Sequence, residues 1–250
     1  MEDLKNRRIV VVGASSGIGA ETAHMLSIFG AKVALLARRK EKLEEVLRGL
    51  EGEGHTIHTL DVAEIDGIDS TVQEIVDSFG KIDGLVYAAG KTGDCPLRQL
   101  TYQKQWDVFS VNFLPFVECV RQVSRKNRYN DGLRIVAVSS TASLCGSKGH
   151  TAYAASKAAM NAAVRCMAKE LASKNIYINA VAPGWILTDM SQEYINRNGE
   201  DSDTVKNMLT GQYLGMGYPS DVANAICFLL SPTSRFITGT VLPVDGGSLT

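Results

Sequence analysis

Short runs of apolar, often β-branched residues alternate along the chain with longer stretches of helical pattern, and this alternation most restricts the fold. The strand-like runs fall at 8–14, 32–38, 55–61, 84–90, 134–140, 177–184 and 239–247. The helical stretches fall at 17–30, 40–50, 68–79, 103–127, 151–173 and 219–231. Continuously apolar strands indicate a sheet that is buried on both faces. The pattern predicts an α/β, Rossmann-type, doubly wound and mostly parallel seven-stranded sheet with helices on both faces.

The composition favours a single domain covering residues 1–250. Hydrophobic residues make up 45% of the chain, enough for a large core, and repeats and low-complexity linkers are absent. The net charge of −1 argues against nucleic acid or an anionic membrane as a partner. No apolar run approaches the roughly 18 residues of a spanning helix, and the early run "IVVVGA" is too short for a secretion signal. We therefore expect a cytoplasmic protein.

The cysteines and histidines give no sign of a metal site. Five cysteines are spread over positions 95, 119, 145, 166 and 227 and form no C-x-x-C pair, as is typical of reduced thiols in a cytoplasmic protein. His55 and His58 flank a short apolar alternation with no further ligand nearby in the sequence. We expect no metal.

A glycine-rich turn joins the first predicted strand to the first helix, in "VVVGASSGIGAE". Gly13 permits the tight turn, Gly17 lets the backbone approach a pyrophosphate, and Gly19 allows close packing of helix on sheet. The helix N-terminus supplies amide donors to phosphates. A plain strand–helix turn needs one glycine rather than three, so the context favours a dinucleotide site. The turn residues assigned to it are Gly13, Ser15, Ser16, Gly17, Ile18 and Gly19.

The end of the second strand predicts the type of dinucleotide. An acidic residue there usually binds the ribose hydroxyls of NAD, but this chain has Ala37 followed by Arg38. A guanidinium suits a 2′-phosphate, and one charge-assisted hydrogen bond would favour NADP(H) over NAD(H) by about ten- to a hundredfold. The alternative is a solvated basic start to a surface helix. Asp61 and Val62, which end the third strand, are predicted to flank the adenine.

Tyr153 and Lys157 lie four positions apart in an alanine-rich stretch, "HTAYAASKAAM". On a helix they share one face, and a protonated lysine beside a phenol lowers the phenol's pKa. Ser139 and Ser140 end a strand thirteen residues earlier. Asn112 lies among apolar residues and is costly to bury unless it is hydrogen-bonded.

Together these motifs resemble the short-chain dehydrogenase/reductase family over essentially the whole chain. They include the glycine turn, "LDV" at 60–62, the serine before "YAASK", Pro183-Gly184 and "VDGG" at 244–247. The resemblance implies that Tyr153 is the general acid/base, that Ser140 binds the reacting oxygen and that Lys157 binds the nicotinamide ribose and lowers the tyrosine pKa. It implies that Asn112 holds a relay water. It further assigns to the cofactor Ala89, Gly90, Tyr153, Lys157, Pro183, Gly184, Ile186 and Thr188.

One departure from the family pattern follows the fourth strand, where the usual Asn-Asn-Ala-Gly is replaced by Tyr87-Ala88-Ala89-Gly90. The glycine that lets the backbone approach the cofactor is kept, whereas the asparagine hydrogen bonds are lost. This leaves the packing beside the adenosine half open.

Residues 185–217 form the least regular long segment. The resemblance implies that this region covers the substrate, and its several glycines suit a mobile lid. An ordinary pair of surface helices is the alternative. The candidates for the wall of the substrate pocket are Trp185, Ile186, Met190, Tyr194, Met208 and Leu214.

Within the family, the sequence is most similar to 3-oxoacyl-carrier-protein reductases, whose basic surface residues dock an acidic carrier. Possible equivalents are Arg125, Lys126, Arg128 and Lys174, although a basic helix end is also normal capping. The alternative substrates are other small alcohols, sugars or sterols, acted on by an NADP(H)-linked oxidoreductase. A non-catalytic NADP-binding sensor or scaffold is the alternative from another class.

The resemblance also implies a homotetramer, and symmetric oligomers are common among soluble enzymes. The faces proposed for contact are the small-residue stripe Ala154, Ala158 and Ala162, the helix at 103–127, and residues 239–250 through Val241, Leu242 and Val244. The alternative is that these faces belong to the internal core.

Overall fold

A computed structural model describes residues 4–199, 205–206 and 211–250. Its centre is one sheet of seven strands, each parallel to its neighbours, in the order β3-β2-β1-β4-β5-β6-β7. The strands are β1 (Arg8–Val12), β2 (Lys32–Ala37), β3 (Thr56–Thr59), β4 (Ile82–Tyr87), β5 (Tyr129–Val138), β6 (Tyr177–Pro183) and β7 (Val241–Val244). The predicted Rossmann-type architecture is confirmed.

Helices cover both faces of this sheet. They are α1 (Gly17–Ile28), α2 (Lys40–Arg48), α3 (Gly67–Phe79), α4 (Tyr102–Asn112), α5 (Leu114–Val123), α6 (Thr151–Leu171), α7 (Asp189–Asn198) and α8 (Pro219–Leu230). Alternate residues of β1 divide between two cores: Val10 and Val12 pack with α3, α5 and α6, whereas Ile9 and Val11 pack with α1, α2 and α8. Both faces of the strand are buried, which explains its continuously apolar sequence.

The strand order reverses between β1 and β4. From β1 the chain builds outward through β2 to β3, then crosses back to place β4 on the other side of β1. The connections at the carboxyl ends of β1 and β4 therefore diverge, and such a switch point leaves a crevice in which α/β sheets bind ligands.

The predicted single helix at 103–127 is wrong: two helices, α4 and α5, meet at Phe113. Pro115 has no N–H to donate to the carbonyl of Val111, four residues earlier, so the helix ladder is interrupted there. The Tyr87 hydroxyl donates to that freed carbonyl oxygen at 2.6 Å. The tyrosine that departs from the family pattern is thus fully buried, and it satisfies a backbone group that the proline leaves open.

The fifth strand begins at Tyr129 rather than at the predicted 134. Its register against β4 shifts between Ile82 and Gly84, and Gly132 has a φ of +79° within the irregular part. The sequence "YNDGLR" is largely polar, so no apolar run marks this first part of the strand.

Among the described residues, no helix is both long and apolar enough to cross a membrane. The five cysteines are all free, and Cys95, Cys119 and Cys227 are buried.

Candidate active site

A cavity of about 690 Å³ opens at the switch point and extends past the carboxyl ends of β5 and β6. Every cofactor residue assigned from the sequence lines it, and so do Ser140, Tyr153 and Lys157. Asn112 does not line the cavity, because it is completely buried behind the wall. One continuous space therefore joins the predicted dinucleotide site to the predicted catalytic side chains.

Two glycines of the turn stand where a side chain would collide with neighbouring backbone. Gly13 has a φ of +86°, and a Cβ there would lie 2.5 Å from the backbone nitrogen of Ala89. A Cβ on Gly19 would collide with the carbonyl oxygen of Gly13, so this glycine lets α1 pack tightly against the turn. Gly17, with a φ of +54°, is the first residue of α1. The backbone is thus left bare at a helix N-terminus, which fits a pyrophosphate.

Two arginines follow β2 at the far end of the cavity. Arg38 pairs with Asp61 at 3.4 Å between its Nη1 and the carboxylate Oδ2. Arg39 extends over the glycine turn, where its Nη2 donates to the hydroxyls of Ser15 at 3.1 Å and Ser16 at 3.4 Å. Sequence reasoning named Arg38 and missed Arg39, although the two adjacent guanidiniums follow the same strand end. The structure places both on the cavity wall.

The catalytic candidates converge from two elements. Tyr153 and Lys157 stand one turn apart on α6, and Ser140 follows the end of β5 as the N-cap of a short 3₁₀ turn. The ammonium of Lys157 donates to the carbonyl oxygen of Val138 at 2.7 Å and lies 5.9 Å from the centre of the Tyr153 ring. The Ser140 side chain acts on the Tyr153 phenol and opposes the rise of its pKa. Both residues line the same cavity.

The electrostatics of this pair correct one expectation. Burial raises the pKa of Tyr153 above its ordinary value, although the hydrogen bond with Ser140 opposes the rise. Burial also lowers the pKa of Lys157 to about 8. The pKa of Tyr153 is thus raised in this structure, not lowered as expected from the neighbouring lysine, because loss of hydration dominates. A phenol with a raised pKa keeps its proton at neutral pH.

Asn112 connects the catalytic helix to the loop after β4. Its amide nitrogen donates to the carbonyl of Lys91 at 3.1 Å and to the hydroxyl of Ser156 at 2.9 Å, and its Oδ1 accepts from the Lys91 amide at 2.9 Å. A Cβ on Gly90 would lie 3.4 Å from both the Asn112 Oδ1 and the Lys157 Nζ. The buried asparagine is thus satisfied, as the cost of burial requires, and Gly90 allows its close approach to the lysine.

Three polar side chains behind Ser140 hold its turn against α6. The hydroxyl of Ser143 donates to the carbonyl of Ser140 at 2.5 Å and accepts from Asn161 at 2.7 Å and from Ser139 at 3.3 Å. Asn161 lies one helical turn beyond Lys157, so this contact fixes the serine turn relative to the catalytic helix. Ser139 is buried and supports the turn through this contact.

The lid segment is tied to the body of the protein near its start. Gln212 is buried, accepts from the Trp185 amide at 2.8 Å and donates to the Trp185 carbonyl at 3.0 Å. Trp185, Ile186, Met190 and Tyr194 line the cavity as predicted. Leu214 does not: it is 86% exposed, because its backbone bonds to Gly246 and turns the segment toward the C-terminus. Met208 lies outside the described residues.

A charged cluster on the substrate side of Tyr153 was not found from the sequence. The carboxylate of Asp94 lies 3.1 Å from the His150 Nε2 and 3.7 Å from the Arg197 Nη1. The His150 ring also contacts the rings of Tyr153 and Tyr194, at centre distances of 6.1 and 6.3 Å. These residues come from three separate segments, and no spacing within any one segment marks them.

The basic residues predicted to dock an acyl carrier protein lie away from the cavity. Arg128 is buried and bonds to Asp69 at 2.7 Å, and Arg125 pairs with the same carboxylate at 3.2 Å. The Arg128 carbonyl accepts a hydrogen bond from the Ile82 amide at the start of β4. This cluster therefore lies at the amino-terminal ends of the strands, opposite the cavity. Lys126 and Lys174 are exposed. Within one subunit, Arg125 and Arg128 are therefore engaged with Asp69 and distant from the cavity.

A parallel sheet with a bare glycine turn at its switch point, facing a serine, a tyrosine and a lysine, defines a class of protein: an oxidoreductase dependent on a nicotinamide dinucleotide. The sequence pattern of a family described as "Enoyl-(Acyl carrier protein) reductase" matches residues 13–248. The chain belongs to the short-chain dehydrogenase/reductase family, and it is an NAD(P)-dependent oxidoreductase.

Individual relatives agree with this assignment. The 3-oxoacyl-[acyl-carrier-protein] reductase FabG of Thermotoga maritima is 34% identical over 247 residues and covers 98% of each chain. That of Vibrio harveyi is 33% identical over 245 residues, again covering 98% of each. A short chain dehydrogenase from Burkholderia cenocepacia, solved with NADP, has a TM-score of 0.90 at 30% identity and covers 99% of this chain and 100% of its own. A variant of actinorhodin polyketide ketoreductase, solved with NADPH, has a TM-score of 0.87 at 29% identity, with 99% and 98% covered.

Proposed function

We propose that the protein is an NADP(H)-dependent reductase of 3-oxoacyl groups carried as thioesters on an acyl carrier protein. The observation that carries the proposal is the convergence of Ser140, Tyr153 and Lys157 on the cavity that the glycine turn shapes. The names of the FabG relatives and of the NADP-bound neighbours give the substrate class and the cofactor.

The proposed chemistry needs one acid and one oxygen-binding group. In this proposal the substrate carbonyl oxygen lies between the hydroxyls of Ser140 and Tyr153, which line the same cavity. Ser140 donates a hydrogen bond to that oxygen, and the Tyr153 phenol gives it a proton as negative charge develops. The nicotinamide supplies or accepts the hydride when it is bound. Burial raises the pKa of Tyr153, so the phenol holds a proton to donate at neutral pH.

Lys157 and Asn112 support the acid, Tyr153. With a pKa lowered to about 8, the buried lysine can exchange a proton near neutral pH. Asn112 bonds to the backbone of Lys91, in the loop after β4, and to the hydroxyl of Ser156, so it joins that loop to the catalytic helix. The expected relay water beside Asn112 remains a prediction.

The cofactor preference rests on the two arginines after β2. The bare glycine turn fits the pyrophosphate, and Arg39 together with Arg38 would hold a 2′-phosphate. Arg39 already donates to two neutral hydroxyls, whereas Arg38 shares its charge with Asp61. A phosphate would therefore gain more from Arg39.

A reductase of another small carbonyl compound is the second candidate, and one observation favours it. The cavity wall beyond Tyr153 is charged, through Asp94, His150 and Arg197. The predicted carrier-docking residues Arg125 and Arg128 instead pair with Asp69, at the opposite end of the strands from the cavity. The intact proton-transfer residues argue against a non-catalytic sensor or scaffold, which has no use for them.

NADPH oxidation with a panel of substrates tests the proposal. A 3-oxobutanoyl thioester on acyl carrier protein should be reduced with a higher kcat/KM than small ketones, ketoses or oxosteroids, and an enoyl thioester serves as a control for carbon–carbon reduction. A clear preference for a small ketone would assign the second candidate. Tight NADPH binding without turnover on any substrate would assign the sensor.

We also propose that the enzyme is a cytoplasmic homotetramer. Two exposed apolar groups support association: Leu97, Tyr102 and Trp106 on and before α4, and Tyr213, Tyr218 and Phe236 near the C-terminus. Light scattering should give close to four times the 27.0 kDa chain mass. A monodisperse monomer would contradict the assembly without affecting the catalytic assignment.

A further inference from the structure

His150 has an environment that fixes its charge. Its Nδ1 lies 3.1 Å from the carbonyl oxygen of Lys148, and its Nε2 lies 3.1 Å from the carboxylate of Asp94. A carbonyl and an ionised carboxylate only accept hydrogen bonds, so both ring nitrogens must donate. Only the doubly protonated imidazolium does this. The side chain is only 11% exposed, so the cation is enclosed in the active-site wall.

Asp94 is shared between two cations on different elements. His150 comes just before α6, whereas Arg197 is near the end of α7, in the lid segment. The ring of Tyr194, also on α7, contacts both His150 and Trp185. The lid helix is therefore joined to the catalytic helix through one carboxylate and one pair of rings.

We propose that His150 is a positioning residue for the substrate side of the cavity: as an imidazolium it fixes the Asp94 carboxylate, which in turn anchors α7 through Arg197. The role goes beyond proton transfer at Tyr153, and its effect on substrate affinity rests on the proposed reductase function. Loss of one ring proton would remove the positive charge beside the Asp94 carboxylate. It would also leave a ring lone pair against either that carboxylate or the Lys148 carbonyl, which weakens the anchor of the loop and the lid helix.

The anchor is expected to be pH-dependent. The hydrogen bond with Asp94 raises the pKa of His150 above 6.5, and that with His150 lowers the pKa of Asp94. The groups that face His150 are Asp94 from the loop after β4, Tyr153 from α6, and Tyr194 and Arg197 from α7. Asp94 stays ionised across the range, so the interaction is complete below the ordinary histidine pKa. It is lost as the pH rises through the raised value.

Trp185 offers a readout that needs neither cofactor nor substrate. It contacts Tyr194, and the only other tryptophan in the sequence is Trp106, so a Trp106→Phe background makes it the sole reporter. Acrylamide quenching of the cofactor-free protein should rise with pH between about 5 and 9, with a midpoint above the ordinary histidine value of about 6.5. His150→Gln and Asp94→Asn should each abolish this transition. His58→Gln is the matched control, because His58 also pairs with a carboxylate, Glu74, but on the distant edge strand.

Turnover gives a second readout. His150→Gln should raise KM at pH 6 by about tenfold, the equivalent of one charge-assisted hydrogen bond, with little change in kcat. Wild-type KM should rise with pH, and the variant's should not. A quenching transition that persists in both His150→Gln and Asp94→Asn, or its absence from the wild type, would overturn the proposal. Inactivity toward every thioester would instead count against the proposed function and leave the quenching result standing.

Discussion

The dinucleotide half and the substrate half of the cavity are built in different ways. In the dinucleotide half, the wall at Gly13 and Gly19 is bare backbone, because a Cβ there would collide with the Ala89 nitrogen or with the Gly13 carbonyl oxygen. In the substrate half, around Asp94, His150 and Arg197, the wall is made of side chains from three separate segments. A backbone wall leaves a mark in the sequence, because only glycine tolerates it. A side-chain wall does not.

The largest effect should come from the residue that stands between the two halves. Tyr153→Phe removes the acid but leaves the cavity shape and the Lys157–Val138 contact unchanged, so turnover should fall by about 10²–10⁴-fold. Dinucleotide affinity, measured by fluorescence titration, should stay within a small factor of the wild type. A variant that keeps most of its activity would remove Tyr153 from the mechanism.

A second prediction tests whether the dinucleotide half depends on bare backbone. Gly13 and Gly52 both have strongly positive φ, +86° and +89°, but a Cβ at Gly52 would meet nothing within 4 Å. Gly52→Ala should therefore cost only the backbone strain, about 1–3 kcal/mol of the free energy of unfolding. Gly13→Ala carries a similar strain and adds the collision with Ala89. Chemical denaturation should show the larger loss for Gly13→Ala, accompanied by weaker dinucleotide binding; equal losses would mean that the turn has room for a side chain.

The sequence predicts the dinucleotide half of the cavity better than the substrate half. The doubly wound parallel sheet and the glycine turn were predictable, because each depends on periodicity or on residue types with a narrow structural use, and the Ser140–Tyr153–Lys157 set followed from the family resemblance. The break at Phe113 was missed, although Pro115 signals it, because the surrounding pattern is helical. The Asp94–His150–Arg197 cluster was not predictable, since its members are ordinary surface residue types that only the tertiary fold brings together.

The third prediction concerns the far end of the dinucleotide half, where side chains do choose the ligand. Replacing Arg39 with Ala should weaken NADPH binding by about ten- to a hundredfold, the loss of one charge-assisted hydrogen bond, and leave NADH binding nearly unchanged. Arg38→Ala should have the smaller effect, because Arg38 is paired with Asp61. Adding Ala37→Asp to Arg38→Ala should reverse or flatten the preference. Equal affinities for the two dinucleotides in the wild type would place both guanidiniums in solvent.

The smallest effect is expected at Tyr87, the buried residue that departs from the family pattern. Tyr87→Phe keeps the buried ring against Phe116, 5.6 Å away, but removes the donor to the Val111 carbonyl that Pro115 leaves unpaired. An unsatisfied buried carbonyl costs about 1–3 kcal/mol, so the free energy of unfolding should fall by that amount. Tyr177→Phe is the matched control, since its hydroxyl donates to Asn175 at an exposed site and should contribute little.

A second substitution separates the hydrogen bond from the ring packing. If Tyr87 compensates for the proline, Pro115→Ala restores a backbone donor four residues after Val111, so the double variant should lose less stability than the sum of the two single losses. Additive losses would show that Tyr87 and Pro115 act independently, and the tyrosine would then be explained by packing alone. Coupling would mean that Tyr87, which replaces the family's asparagine, stabilises the junction between α4 and α5. Asn112 lies at the last turn of α4, so the tyrosine would then also support the catalytic side of the site.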